Sequence, residues 1–203
     1  MIVNERGSVK FSCDHIRAEL PPFDGFDELK RVRQQLVELG WLGIDANGIG
    51  FGNLSVRAGD SSQFYITGSG TGGLTDLSPS NCAKVVAWNF AKNWVRCEGE
   101  KMASSESLTH AAVYESAQTA RGVIHVHDCA SWRALLNKVA TTAAEAEYGT
   151  PEMAFAVKRL FETSDVKQAR IFVMGGHEGG VVAFGEHLNE AFARLEAALI
   201  SDD

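Results

Sequence analysis

GVIHVHD, residues 122–128, sets two histidines two positions apart inside an apolar run. The β-branched residues and the turn-like flanks predict a strand. On a strand, residues i and i+2 project from the same face, so His125 and His127 point together. Ile124 and Val126 face the other way, into an apolar layer. Two buried imidazoles are costly unless their nitrogens find partners. Two readings fit: a pair of hydrogen-bonded core histidines, or two ligands converging on one metal ion, with Zn–N distances of about 2.0–2.1 Å.

Working outward from this strand, RIFVM (170–174) and GVVAF (180–184) read as two further strands, and FGNLSVR (51–57) and FYIT (64–67) as two more. KVVAWNF and WVRCEG flank AKN and predict a hairpin across 84–99. Helices are expected over Asp27–Leu39, where Leu29, Val32, Leu36 and Leu39 keep helical spacing before Gly40. Others are expected from a Ser78 cap and Pro79, from a Ser104 or Ser105 cap to about Ala117, around 130–137, over 151–162 after Thr150, and from an Asn189 cap to the end. Several strand pairs are linked too closely for helical crossovers. The fold class is therefore α/β, with a mixed, mostly antiparallel central sheet covered by helices. With no repeat, low-complexity tract or charged linker, residues 1–203 are expected to form one domain, with 1–26 an extended lead-in.

The chain has 203 residues, 45% hydrophobic and 22% charged, as in an ordinary soluble globular protein. No run approaches about 20 apolar residues, so no membrane span is expected. The beginning MIVNERGSVKFSC lacks a signal-peptide core, which makes the cytoplasm the expected location. Net charge is −7 without any basic run, arguing against a nucleic-acid partner. Cys13, Cys82, Cys97 and Cys129 are dispersed and form no C-x-x-C pair, so free thiols are expected.

If His125 and His127 hold a metal, more ligands are needed. His177 lies in VMGGHEGGVV, between two strands and among four glycines that let backbone approach a site closely. By itself it reads equally as an exposed loop histidine. Three histidines plus water would make an open, catalytic type of zinc site. Cys129 shares the parity of the pair, as a fourth ligand or as a packing residue past the strand end. His110 follows Glu106 by one turn, as its partner or as a helix-packing histidine, and His187 reads as a surface residue. Glu106, in ASSESLTH, suits a first helical turn on dipole grounds alone, or a catalytic carboxylate. Ser104 and Ser105 add hydroxyls and N–H groups at a helix start, where anions bind readily. YITGSGTGG (65–73) is a glycine-rich turn that fits neither a P-loop nor a dinucleotide fingerprint.

Taken in order, FGNLSVR, YITGSGTGGLT, ASSESLTHAAVYES, GVIHVHD, EYGTPEMA and GGHEGGVVAFG resemble the class II aldolase/adducin family over about residues 27–200. That family includes fuculose-phosphate aldolase, ribulose-phosphate 4-epimerase and methylthioribulose-phosphate dehydratase. The resemblance implies a three-layer α/β/α fold and a homotetramer with sites at subunit interfaces. It matches His125, His127 and His177 to zinc ligands, with another divalent metal as an alternative, and Glu106 to the acid/base carboxylate. It matches Asn53, Ser69, Gly70, Ser104 and Ser105 to the cradle of a substrate phosphate. The implied activity is a zinc-dependent lyase acting on a small sugar phosphate or hydroxyketone through a metal-stabilised enediolate. Epimerisation or dehydration on the same site is the alternative, and an adducin-like binding module belongs to another class. Two departures stand out. The family's third histidine precedes a glycine, whereas here Glu178 intervenes, so either the loop shifts by one residue or Glu178 contributes. The family's tyrosine proton donor has no match, because Tyr148, alone in NKVATTAAEAEYGT, sits at a different position.

Overall fold

The computed structural model describes residues 10–200; residues 1–9, the start of the expected lead-in, and 201–203 lie outside the described residues. In chain order the elements are β1 (Ser12–Ile16), α1 (Phe26–Glu38), β2 (Gly43–Ile44), β3 (Gly50–Phe51), β4 (Asn53–Arg57), β5 (Phe64–Thr67), a 3-10 turn (Pro79–Asn81), β6 (Cys82–Asn89), β7 (Trp94–Glu98), α2 (Ser107–Ser116), β8 (Gly122–His127), α3 (Cys129–Leu135), α4 (Pro151–Thr163), α5 (Val166–Ala169), β9 (Ile171–Val173), β10 (Gly180–Gly185) and α6 (Leu188–Leu199).

Eight strands make one sheet in the order β1-β7-β6-β5-β4-β8-β10-β9, and β2 and β3 form a small separate ladder. Every pairing in the large sheet is antiparallel except β1 with β7. The sheet is mixed and mostly antiparallel, as the short connections dictate. Its two faces carry separate cores. Phe64, Ile66, Val85, Val95, Val123, Val182 and Phe184 pack under α2 and α4. Leu54, Val56, Ile124, Val126, Val181 and Ala183 pack under α1 and α6. Leu29, Val32 and Leu36 of α1 are fully buried, each stabilising the layer by roughly 1.5–3 kcal/mol relative to an exposed position.

The period-2 alternation is what positions the site. Along β8, Val123, His125 and His127 share the α2/α4 side, and Ile124 and Val126 take the other. Asn53 of β4 lies opposite His125, and Gly180 of β10 opposite His127.

Several boundaries differ from the sequence reading. The strand expected over 51–57 breaks at Gly52, whose φ of 75° is a conformation side chains rarely adopt. The lead-in contains β1, whose SCDHI mixes charge with apolar residues and so hides a strand held by parallel pairing. That pairing brings Cys13 Sγ to 3.5 Å from Cys97 Sγ, both thiols free. Helix α2 is capped at Glu106 rather than at Ser104 or Ser105. Helix α6 is capped by His187, whose Nδ1 accepts the Glu190 N–H, because the Asn189 side chain is taken by Arg31 of α1. The short α5 has no counterpart in the sequence reading.

Candidate metal centre

Strand β8 delivers His125 and His127 from one face, and the turn between β9 and β10 delivers His177. The three ring centroids lie 4.8, 5.3 and 4.4 Å apart, and one ligand atom from each residue falls within 4.8 Å of the others. Glycines make this convergence possible. A Cβ on Gly176 would stand 2.0 Å from the Ala146 carbonyl oxygen, and one on Gly180 would meet His177 Cδ2 at 2.8 Å. The departure at residue 178 resolves here: His177 turns inward, while Glu178 points outward to an exposed pair with Arg133. Glu178 takes no part in the cluster.

All three imidazoles are held neutral by burial. His127 is depressed to about 4 and His177 to about 3, and His125 lies well below its ordinary value through desolvation and the neighbouring histidines. Neutral rings are ligands, and a buried nitrogen without a partner is an open position. His125 Nε2 is such an atom, buried with no hydrogen bond. The donor set therefore fits a divalent metal of the zinc type.

Glu106 sits in the same cavity, which encloses about 690 Å³ and is lined by residues from the turns at 48–53, 68–72 and 104–106 together with the histidines. It is 2% exposed, and burial pushes its carboxyl up to about 7 against a hydrogen bond donated by Thr109 Oγ1 at 2.8 Å. Its other oxygen, Oε1, has no partner. A carboxyl poised near neutrality can both take and return a proton.

The residues matched to a phosphate cradle also line the cavity: Asn53, Ser69, Gly70, Ser104 and Ser105. Asn53 Nδ2 lies 3.3 Å from His125 Nδ1, and Asn53 Oδ1 is buried without a partner. The amide N–H groups of Gly70, Thr71, Gly72 and Gly73 have no acceptor among the described residues. Among those residues, no lysine or arginine lines the cavity.

The remaining sequence candidates separate. His110 is a fully buried packing histidine whose Nδ1 lies 2.7 Å from Ser55 Oγ, in a chain that continues to Tyr114. Cys129 is exposed at the cavity mouth, outside the ligand cluster, because α3 begins there under an Asp128 cap. Sequence reasoning misses two residues. Tyr148, set aside on motif position, places its ring 4.3 Å from that of His177. Arg33, on the buried face of α1, gives no signal because its partners lie about forty residues away in the glycine turn.

The family model for the class II aldolase and adducin N-terminal domain matches residues 31–199. Comparison with curated protein sequences gives no match. Among solved structures, an L-fuculose 1-phosphate aldolase is 22% identical, with a TM-score of 0.67, covering 89% of this chain and 84% of its own. The L-fuculose-1-phosphate aldolase from Thermus thermophilus is 24% identical, with a TM-score of 0.58, covering 85% and 89%. A sugar-phosphate aldolase from Thermotoga maritima is 19% identical, with a TM-score of 0.62, covering 87% and 93%. At these identities the likeness is one of fold.

Proposed function

This chain belongs to the class II aldolase and adducin family, and from that premise we propose that it is a zinc-dependent lyase of the aldolase type. Its substrate is a small sugar phosphate or related hydroxyketone. The observation that carries the reading is the convergence of three neutral imidazoles and one carboxyl poised near pH 7 in a single cavity. A metal held by His125, His127 and His177 supplies Lewis acidity to a carbonyl and its neighbouring hydroxyl.

The chain's own residues do the rest. Glu106 holds the proton that leaves and rejoins the substrate carbon or oxygen, and Thr109 fixes the orientation of its carboxyl. Were His125 Nε2 to hold the metal, Nδ1 would carry the ring proton and donate to Asn53 Oδ1, an orientation that a half-turn of the Asn53 amide would provide, since Nδ2 now lies 3.3 Å from His125 Nδ1. The hydroxyls of Ser69, Ser104 and Ser105 and the bare amides of residues 70–73 receive the phosphate, remote from the reacting carbons. Family membership also makes a homotetramer the expected assembly.

Two substitutions test the reading. His125→Ala is expected to remove tightly bound metal; elemental analysis that still finds one metal per chain overturns the ligand assignment. Glu106→Gln should keep the metal and lose about 10²–10⁴-fold in turnover on a panel of ketose phosphates, followed by aldehyde release. Undiminished cleavage by that variant would remove Glu106 from the mechanism.

A further inference from the structure

Arg33 is 2% exposed, yet no carboxylate pairs with it among the described residues. Asp76, the acid that acts on it electrostatically, is bonded to Lys30 instead. Its guanidinium Nη2 donates to three carbonyls of one turn: Thr71 at 2.9 Å, Gly72 at 3.2 Å and Leu74 at 2.9 Å. Burying an unpaired guanidinium against a loop of glycines is costly unless the arrangement is completed elsewhere.

Peptide geometry says where. In a trans peptide the C=O and the following N–H point in opposite directions. Holding the Thr71 and Gly72 carbonyls toward Arg33 therefore turns the Gly72 and Gly73 N–H groups away from it. Gly72 lines the metal cavity and Arg33 does not, since Arg33 faces a separate hollow beside α1. The turn thus has a cationic outer side and an inner side of unsatisfied donors, in a cavity whose lining contains Asp45 and Glu106 but no basic side chain among the described residues. Successive free amides in such a turn form an anion-binding concavity.

We propose that Arg33 is a positioning residue for anion recognition: by clamping the carbonyls of Thr71, Gly72 and Leu74 it turns the amides that follow away from itself, that of Gly72 toward the metal cavity, and supplies, from behind the loop, the positive charge that a substrate phosphate meets there. The inference rests on the sugar-phosphate reading of that cavity. It explains how a phosphate is held where the cavity lining carries no lysine or arginine and Lys10, whose charge reaches Glu106 and His177, is held over the Tyr148 ring and paired with Glu147. Arg33 touches neither substrate nor metal.

The test uses the full chain loaded with metal and inorganic phosphate as probe. Wild-type protein should gain thermal stability with phosphate, and hydrogen exchange should slow at residues 70–73. Arg33→Met should keep its metal content, lose the phosphate shift, and raise KM for a phosphorylated ketose by about tenfold with kcat within about twofold. Arg33→Lys, which keeps charge and three donors but not the guanidinium plane, should recover part of the shift. An unaltered phosphate response in Arg33→Met overturns the inference alone. A wild-type protein that binds metal but shows neither shift nor protection with phosphate overturns the inference together with the phosphate reading. If Arg33→Met fails to fold, wild-type exchange still decides, since unprotected amides at 70–73 sink the proposal.

Discussion

Two glycine-rich turns border the same cavity and serve it differently. In the turn at 68–73, the amides of residues 70–73 are left without partners and face outward from the chain's own bonding. In the turn at 175–180 the bare amides are interspersed with satisfied ones: Gly175 N–H donates to Thr142 Oγ1, His177 N–H to Met174 O and Gly180 N–H to His177 O, while those of Gly176, Glu178 and Gly179 have no acceptor among the described residues. The first turn offers backbone and the second offers one side chain. Glycine serves both in the same two ways, a positive φ at Gly70 and Gly179 and close backbone approach at Gly72 and Gly176. Glycine content alone therefore says little about what a turn binds; the destination of its N–H groups says more.

The sharpest way to break this contrast is His177→Ala, which should remove metal and lower turnover by about 10³-fold or more. Metal retained at wild-type content would show that the second turn contributes no ligand. Next in size is Gly180→Ala, whose methyl would press on His177 Cδ2 at 2.8 Å and His125 Nε2 at 3.3 Å. Metal affinity, measured by competition with a chelator, should fall about 10–100-fold while circular dichroism stays native. Gly72→Ala is the matching probe of the first turn, with a Cβ 2.2 Å from the Gly43 carbonyl oxygen. It should weaken phosphate binding by about tenfold and leave metal content intact, and the reverse pattern would erase the distinction between the turns.

A smaller effect concerns pH. Burial raises the folded-state Glu106 pKa from 4.5 to about 7, so ionisation is disfavoured in the fold and metal-free stability from this group is lost as pH rises between those values. Glu106→Gln should lack that loss, and its Tm should gain on wild type from pH 4.5 to 7. A Tm difference independent of pH contradicts the burial argument. The buried histidines act in the opposite sense, costing stability as pH falls below about 6.5, and do so equally in both proteins. Smallest of all, Glu178→Gln should change stability by under about 0.5 kcal/mol and metal content not at all, because its pair with Arg133 is exposed on both sides.

The interior of the sheet is legible in the sequence because alternation and β-branching are local signals. H-x-H on β8 and S-S-E before α2 can be read for the same reason, each being a short pattern on one element. His177 needs three-dimensional closure of the β9–β10 turn to separate it from a loop histidine, and Glu178 needs it to be excluded. Arg33, Tyr148 and β1 escape because their meaning lies in partners far along the chain. A charged, half-exposed pentapeptide such as SCDHI carries no apolar period to announce it. The cap of α6 falls on His187 while Arg31 engages the Asn189 side chain, and α2 starts after Glu106 with the Ser104 and Ser105 hydroxyls in no hydrogen bond among the described residues.

That pentapeptide has a consequence for solubility. Strand β1 is the outermost strand on its side of the sheet, and it covers the flank of β7 with Asp14 facing Arg96. Without it, WVRCE would present a row of open backbone donors and acceptors, with Cys97 newly accessible, to any other extended chain. The polar character that conceals β1 from sequence reading is the same character that makes it a poor template for pairing. A chain lacking residues 1–16 would keep its metal ligands and lose its guard against sheet-to-sheet association.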